Sequence, residues 1–161
     1  MKNMYMVRAG SKSYLIDKFE SEEIVAVDFN LPDLSNVTSQ EELRSIADNH
    51  FTEKSKVQIG LIVGMVWRFK NEFNIGDYVI SYDSQNRLYL IGKIKSEYKY
   101  CPKFDKSPHI RKVEWISKID RDNLKPSTKN TLGSLLSIFK LNKEVKEEFL
   151  ALLKGNSSKK E

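Results

Sequence analysis

Apolar positions recur along the chain at two spacings, and an element boundary is predicted where one gives way to the other. The stretch "MYMVRAG", closed by Gly10, has the length of a short strand. In "SYLIDKFESEE" the spacing becomes helical, with Leu15, Ile16 and Phe19 on one side. "EIVAVDF" is a near-continuous apolar run of strand length, the pattern of a strand covered on both faces. Proline, asparagine, aspartate and serine in "NLPDLSNVT" predict a loop. Ser39 followed by Glu42 is a capping-box signal, and Leu43, Ile46 and Ala47 are the buried stripe of the helix it opens.

The next helix is predicted over 55–73. Gly76 and Asp77 lead into a strand at "YVISY", a turn at "DSQNR" and a returning strand at "LYLIGKIKSEYKY", together a hairpin. "CPKFDKSPHI" reads as a loop and "RKVEWI" as a further strand. "DNLKPSTKN" leads into a helix carrying Leu132, Leu135, Leu136 and Phe139, and a last helix presents Val145, Phe149, Leu152 and Leu153. "GNSSKKE" is polar, so residues 1–154 are expected to be one domain and 155–161 a tail or linker. Strands and helices mix without regular βαβ alternation. The predicted class is α+β, a curved sheet or small β-barrel flanked by helices.

Trp67 is the odd position of the helix over 55–73. At 100° per residue, Ile59, Ile62, Met65, Val66, Phe69 and Phe73 gather on one side. Trp67 projects roughly 130° from the centre of that stripe. It shares its side with Lys56, Gly60, Val63, Gly64 and Asn71, and the two glycines would leave room for a backbone or a ligand. Two readings follow. Either the helix is buried on two sides and Trp67 fills a second seam, or Trp67 is a stacking platform beside Lys56, Arg68 and Lys70. Aromatic rings among lysines are the composition that stacks bases while holding phosphate. Tyr5, Phe29, Tyr82 and Tyr89 are further aromatics near predicted strand ends or faces.

Charge permits the second reading without requiring it. The net charge is +5 with a pI near 9.1, mildly basic. No apolar run approaches the ~20 residues that span a bilayer, and "MKNMYMVRAG" does not read as a secretory signal. The single cysteine, Cys101, has no partner for an internal disulfide, which fits a reducing cytoplasm. Neither a CxxC nor an HxxxH spacing occurs, and no metal site or cofactor is expected.

Catalytic signatures are missing as well: no GxSxG, Walker loop or HExxH is present. His50 falls at a helix end, where a cap or solvent role is expected, and His109 in "SPHIRK" is open to a phosphate contact. Asp83 with Glu97 and Lys99 loosely copies the Asp…Glu-x-Lys pattern in which carboxylates hold Mg²⁺ and a lysine orients water. Glu-x-Lys is common in a chain this rich in both, and Asp83 sits in a predicted turn that accounts for it.

Six stretches, taken in order, carry a family resemblance: "MVRAG", "YLIDKF" with "IVAVDF", "VWRFKNEFNIGDYVISYD", "LIGKIKSEYKY", "HIRKVEWISKIDRDNL" and "TLGSLLSIFKL", spanning about residues 4 to 141. The chain resembles the N-terminal reader domain of modification-dependent restriction factors of the McrB type and of Mrr-like nuclease fusions, related in fold to the EVE and YTH members of the PUA-like superfamily. That resemblance implies a PUA-like barrel and a non-catalytic module that flips a base of DNA into an aromatic cage and distinguishes a methylated base from a plain one. The cage expected on these grounds is Trp67, Phe29 and Tyr5, with an open, basic-rimmed slot between Trp67 and Phe29. The family often has Trp where Tyr5 and Phe29 stand; both remain aromatic, with less stacking area. Ser11, Asp28 and Asn30, or amides around Gly10, are the candidates for reading the base edge. Arg8, Lys12, Arg68, Arg111 and Lys112 are the candidates for phosphate. The implied partners are methylated DNA and a restriction nuclease or NTPase effector, as a domain or a subunit; no membrane is implied. An RNA reader of the same fold, a small Mg²⁺ nuclease using Asp83, Glu97 and Lys99, and a protein-docking module using the Val145–Leu153 stripe are the alternatives.

Overall fold

Along β1 (Met4–Val7) the side chains part to two sides. Tyr5 and Val7 enter one apolar cluster, and Met4 and Met6 enter another, as the period of two requires. The computed structural model describes residues 1–104, 106–134 and 136–159. It places β1 inside a seven-stranded sheet with β2 (Ile24–Val27), β3 (Tyr78–Asp83), β4 (Leu88–Ile94), β5 (Lys99–Tyr100), β6 (His109–Asp120) and β7 (Ile138–Lys140). The order is β2-β6-β4-β3-β1-β7, with β5 beside β6. β1 and β3 run parallel and, among the described residues, the other pairings are antiparallel.

The sheet curls into a half-barrel flanked by helices, as expected for the α+β class. β6 makes the bend. Its first residues pair with β2 and its later ones with β4, so one strand serves both halves of the sheet. The register with β4 slips between Ile91 and Gly92. A Cβ on Gly92 would stand 2.5 Å from the Glu114 carbonyl, so only glycine lets the strands close at this bulge.

Among the described residues, five α-helices pack around the sheet: α1 (Ile16–Glu22), α2 (Gln40–His50), α3 (Lys56–Trp67), α4 (Pro126–Leu132) and α5 (Lys143–Lys159). α1 covers one face over Phe19, Ile24, Phe69, Phe73 and Ile110. α4 and α5 cover the other over Ile80, Tyr89, Leu132, Val145 and Phe149. α2 and α3 build a third cluster with the 31–37 segment, around Leu34, Leu43 and Val66. Ser39 caps α2 through its hydroxyl to the Glu42 amide, while Glu42 answers to the Thr38 amide, one residue earlier than a full box requires. The reciprocal pair occurs instead at α3, between Ser55 and Gln58.

The predicted elements are corrected in four places. α3 ends at Trp67 and passes into a π-turn over Arg68–Glu72 rather than continuing as one helix to 73. The strand read at "RKVEWI" runs from His109 to Asp120, and the returning hairpin strand breaks into β4 and β5. The helix expected through Phe139 stops at Leu132, where Gly133 caps it; Ile138–Lys140 is a strand on the free edge of β1. Of that helix's expected apolar stripe, Leu135 lies outside the described residues. α5 itself runs from Lys143 to Lys159.

Candidate nucleic-acid interface

β2 is buried along its whole length, and the chain must turn sharply where it ends. Asp28 makes the turn, its carboxylate accepting from the Asn30 amide at 2.9 Å, and Asn30 takes a left-handed φ of 53°. Between them Phe29 is left half-buried, its ring edge-on to Phe69 at 5.9 Å and 5.5 Å from the imidazole of His109. The ring is therefore braced from below and lines a cleft of about 430 Å³. That volume falls in the range of sites for small organic groups, about 300–1,000 Å³.

Three further segments complete the cleft. The 8–15 loop contributes Arg8, Gly10, Ser11, Tyr14 and Leu15. Gly10 has φ 75° and ψ −177°, a region reserved to glycine, and the Tyr14 ring packs where a Cβ would be. Lys12 and Ser13 are also left-handed, and the loop is tied to the β3–β4 turn by Ser13 and Ser84. From α3 come Ile62 and Met65, one turn apart, and from the end of α2 come Phe51 and Lys54, whose ammonium lies 5.7 Å over the Phe51 ring. Ser107 and Ser137 close the remaining side. The lining thus mixes aromatic and apolar faces with neutral polar groups, two cations and the Asp28 carboxylate.

His109 locks the floor. The Leu31 carbonyl, 3.1 Å from Nε2, can only accept, so Nε2 carries the proton. Nδ1 then accepts from the Tyr98 hydroxyl at 2.7 Å, and that oxygen in turn accepts from the Leu34 amide. Burial pulls the His109 pKa below its usual 6.5, and burial raises that of Tyr98. Both groups are neutral and both hold the 31–34 segment beside Phe29.

The residues expected to act together are divided by the fold. Phe29, Ser11, Asp28, Asn30 and Arg8 line the cleft, and exposed Lys12 sits next to Ser11. Tyr5 does not: it is 2% exposed, stacked on Phe73 at 4.3 Å in the core. Trp67 does not either. It is half-buried against the third cluster and is not among the residues around the cleft, so the slot expected between Trp67 and Phe29 lies on the Phe29 side alone. The seam reading of the helix is the one the packing follows, with Val63 buried on Trp67's side. Beyond its chain neighbours and its own helix backbone, nothing among the described residues comes within 4 Å of the position of a Gly64 Cβ.

Arg111 is the largest correction among the cations. It is fully buried, and donates from Nη1 to the Phe69 carbonyl at 2.7 Å, from Nη2 to Phe73 at 2.9 Å and from Nε to Ser96 at 2.8 Å. It is a brace for the π-turn, and phosphate does not reach it. Desolvation lowers its pKa to about 10, which leaves it charged near neutrality. Lys112 pairs with Ile24, at the start of β2 and away from the cleft, among Glu22, Glu23 and Glu114. Arg68 is bridged to Glu72, and Lys70 donates to the Val37 carbonyl. His109 is buried and is no phosphate contact, whereas His50 is exposed in the last turn of α2.

The nuclease pattern does not assemble. Asp83 accepts from the Gln85 and Asn86 amides in the β3–β4 turn, at one end of β4, and Glu97 lies beyond the other end. β4 separates them by about 20 Å at a strand's rise per residue. No group of three metal-binding side chains occurs among the described residues. The α5 stripe is likewise accounted for: Val145 and Phe149 are core, with Leu152 and Leu153 packed on them. No helix of the described residues is long and apolar enough to cross a membrane.

Sequence reasoning passed over Tyr14, Phe51, Lys54, Ile62, Met65 and Ser107. Ile62 and Met65 were visible as stripe residues, but their stripe reaches past the core to the cleft. Nothing local marks Phe51 or Ser107, which arrive from other segments.

This arrangement is the fold of YTH domains. The YTH domain of the Zygosaccharomyces rouxii MRB1 protein, solved in complex with N6-methyladenosine RNA, superposes with a TM-score of 0.51 at 11% identity, covering 96% of this chain and 88% of that one. A hypothetical protein from Leishmania major superposes with a TM-score of 0.50 at 10% identity, covering 98% of each chain. No curated protein matches the chain. The chain belongs to the family described as Domain of unknown function (DUF8426), which matches residues 4–142.

Proposed function

We propose that this chain is a non-catalytic reader of modified nucleic acid, in which a methylated base of DNA turns out of its strand and stacks on Phe29. The observation that carries the reading is the cleft at the end of β2: a braced aromatic ring, the polar side chains of Ser11, Asp28 and Asn30 beside it, and Arg8 and Lys54 at the same opening. Extruding a base costs a few kcal/mol. Stacking returns about 1–3 kcal/mol, so the two nearly cancel and affinity rests on phosphate contacts. Lys54 and Lys12 are the cations placed for those contacts. A methyl group meeting Met65, Ile62 or Leu15 adds about 0.8 kcal/mol per buried carbon, enough to favour the modified base. Such a module, of the kind seen in McrB-type and Mrr-like restriction systems, directs a nuclease or NTPase effector in the cytoplasm to foreign or modified DNA.

A second reading has its own support. The Z. rouxii protein of similar fold was solved with N6-methyladenosine RNA, so the same cleft on this chain would take a methylated base of RNA. Titration of labelled DNA duplexes and matched RNA strands, each with and without N6-methyladenine or 5-methylcytosine, decides between them. Tighter binding of a methylated DNA, lost in Phe29→Ala, supports the first; a preference for RNA supports the second. Equal affinity throughout, unchanged by Phe29→Ala, removes both.

A further inference from the structure

Ser107 is 1% exposed, and its hydroxyl oxygen has no hydrogen-bond partner among the described residues. The same side chain lines the Phe29 cleft. A buried hydroxyl without a partner is uncommon in a folded protein, because its desolvation is not compensated. Two charged groups of the cleft, by contrast, are already engaged. Asp28 holds the Asn30 amide, and Arg8 spends Nε and Nη2 on the carbonyls of Leu136, Leu132 and Ser134.

Backbone hydrogen bonds fix Ser107 in place. Its amide donates to the Phe104 carbonyl at 3.0 Å, Phe104 is anchored in the core, and the Cys101 amide donates to the Pro108 carbonyl at 2.7 Å. Two residues on, His109 pairs in register with Val27 at the end of β2. Ser107 is thereby held beside the β2 end from which Asp28, Phe29 and Asn30 emerge.

From this geometry we infer that Ser107 is a specificity-determining contact, its hydroxyl waiting for the polar edge of the base that enters the cleft. The inference rests on the reader function proposed above. It adds what the aromatic ring leaves open: stacking accepts any base, whereas a fixed hydroxyl at the cleft wall selects one that brings a ring nitrogen or exocyclic group to that point. Because the hydroxyl is both donor and acceptor, it serves either kind of group, and an occupant with carbon there leaves it unsatisfied.

Two measurements on the full chain test it. Thermal melts without nucleic acid compare wild type with Ser107→Ala; equal or higher stability is expected, since no internal hydrogen bond is removed. Affinities are then measured for DNA and RNA oligonucleotides carrying one N6-methyladenine, and for counterparts in which one ring nitrogen at a time is replaced by C–H. Wild type is expected to lose about tenfold or more for one of these counterparts, and Ser107→Ala to bind that counterpart and the parent alike. If Ser107→Ala keeps wild-type affinity and the same discrimination while Phe29→Ala loses binding, this inference is overturned and the reader function stands. If neither DNA nor RNA binds wild type, the reader function fails, and this inference with it.

Discussion

The guanidinium of Arg111 reaches across the core to the carbonyl of Phe69, 2.7 Å from Nη1, and thereby decides how the end of α3 is built. The π-turn over Arg68–Glu72 turns carbonyls away from the helical ladder, and the Arg111 fork donates to those of Phe69 and Phe73. Arg111→Ala strands these carbonyls in the core. A loss of about 3–5 kcal/mol is expected in urea unfolding. The salt dependence of nucleic-acid binding, measured in protein that remains folded, is expected to be unaltered, in contrast to what loss of a phosphate contact would do.

Phe29 and Trp67 should separate cleanly on mutation. Phe29→Ala removes the stacking surface and is expected to weaken binding of the preferred base by about 5- to 150-fold. Trp67→Ala opens the third cluster and is expected to lower the unfolding midpoint while leaving the base preference as it was. Fluorescence anisotropy and thermal melts on the same two variants read both quantities.

Lys54 gives a prediction in salt. As a cation at the cleft, its replacement by alanine should weaken binding to all sequences alike and reduce the slope of log K against log salt by about one. Discrimination between methylated and plain bases should not change. Lys112→Ala, at the other end of β2, should leave the slope where it was.

His109 makes stability depend on pH in one direction. The folded protein holds it neutral below its usual 6.5, while the unfolded chain takes the proton at about that value. As pH falls through 6.5 the unfolded state therefore binds more protons and gains, by at most about 1.4 kcal/mol per pH unit, until the folded site also protonates. Above that window the contribution is complete and flat. Urea midpoints at pH 5 and pH 8 should differ in wild type by more than in His109→Gln. Protonation also puts a second donor against the Tyr98 hydroxyl, so the 31–34 segment is where hydrogen exchange should quicken first in acid.

Gly10→Ala tests the loop under Tyr14. The backbone there lies at φ 75° and ψ −177°, where an L-residue costs about 1–3 kcal/mol. The added methyl would also meet the Tyr14 ring at 2.2 Å, and the ring must swing from the cleft. Lower stability and weaker binding are expected together; Tyr14→Ala in the same background should relieve the collision but not the backbone strain.

What local pattern can carry was legible in the chain. A short strand was read at "MYMVRAG", the run at 24–27 announced a strand buried on both faces, and Ser39 marked the start of α2, because each depends only on near neighbours in sequence. Asp28, Phe29 and Asn30 were singled out by the family resemblance, whereas the local pattern ran the strand on through Phe29 and the turn in fact begins at Asp28. For Trp67 the 100° projection left two readings open, a second seam or a stacking platform, and packing on the third cluster follows the seam; beyond Trp67 the expected unbroken helix to 73 gives way to a π-turn. That turn is held by Arg111, from a strand 42 residues away. Ile138–Lys140 is a strand only because the edge of β1 lies open to it, a condition no window of sequence contains. The cleft was settled last, by tertiary structure alone: Phe51, Met65 and Ser107 have ordinary local surroundings, and packing brings them to the Phe29 ring.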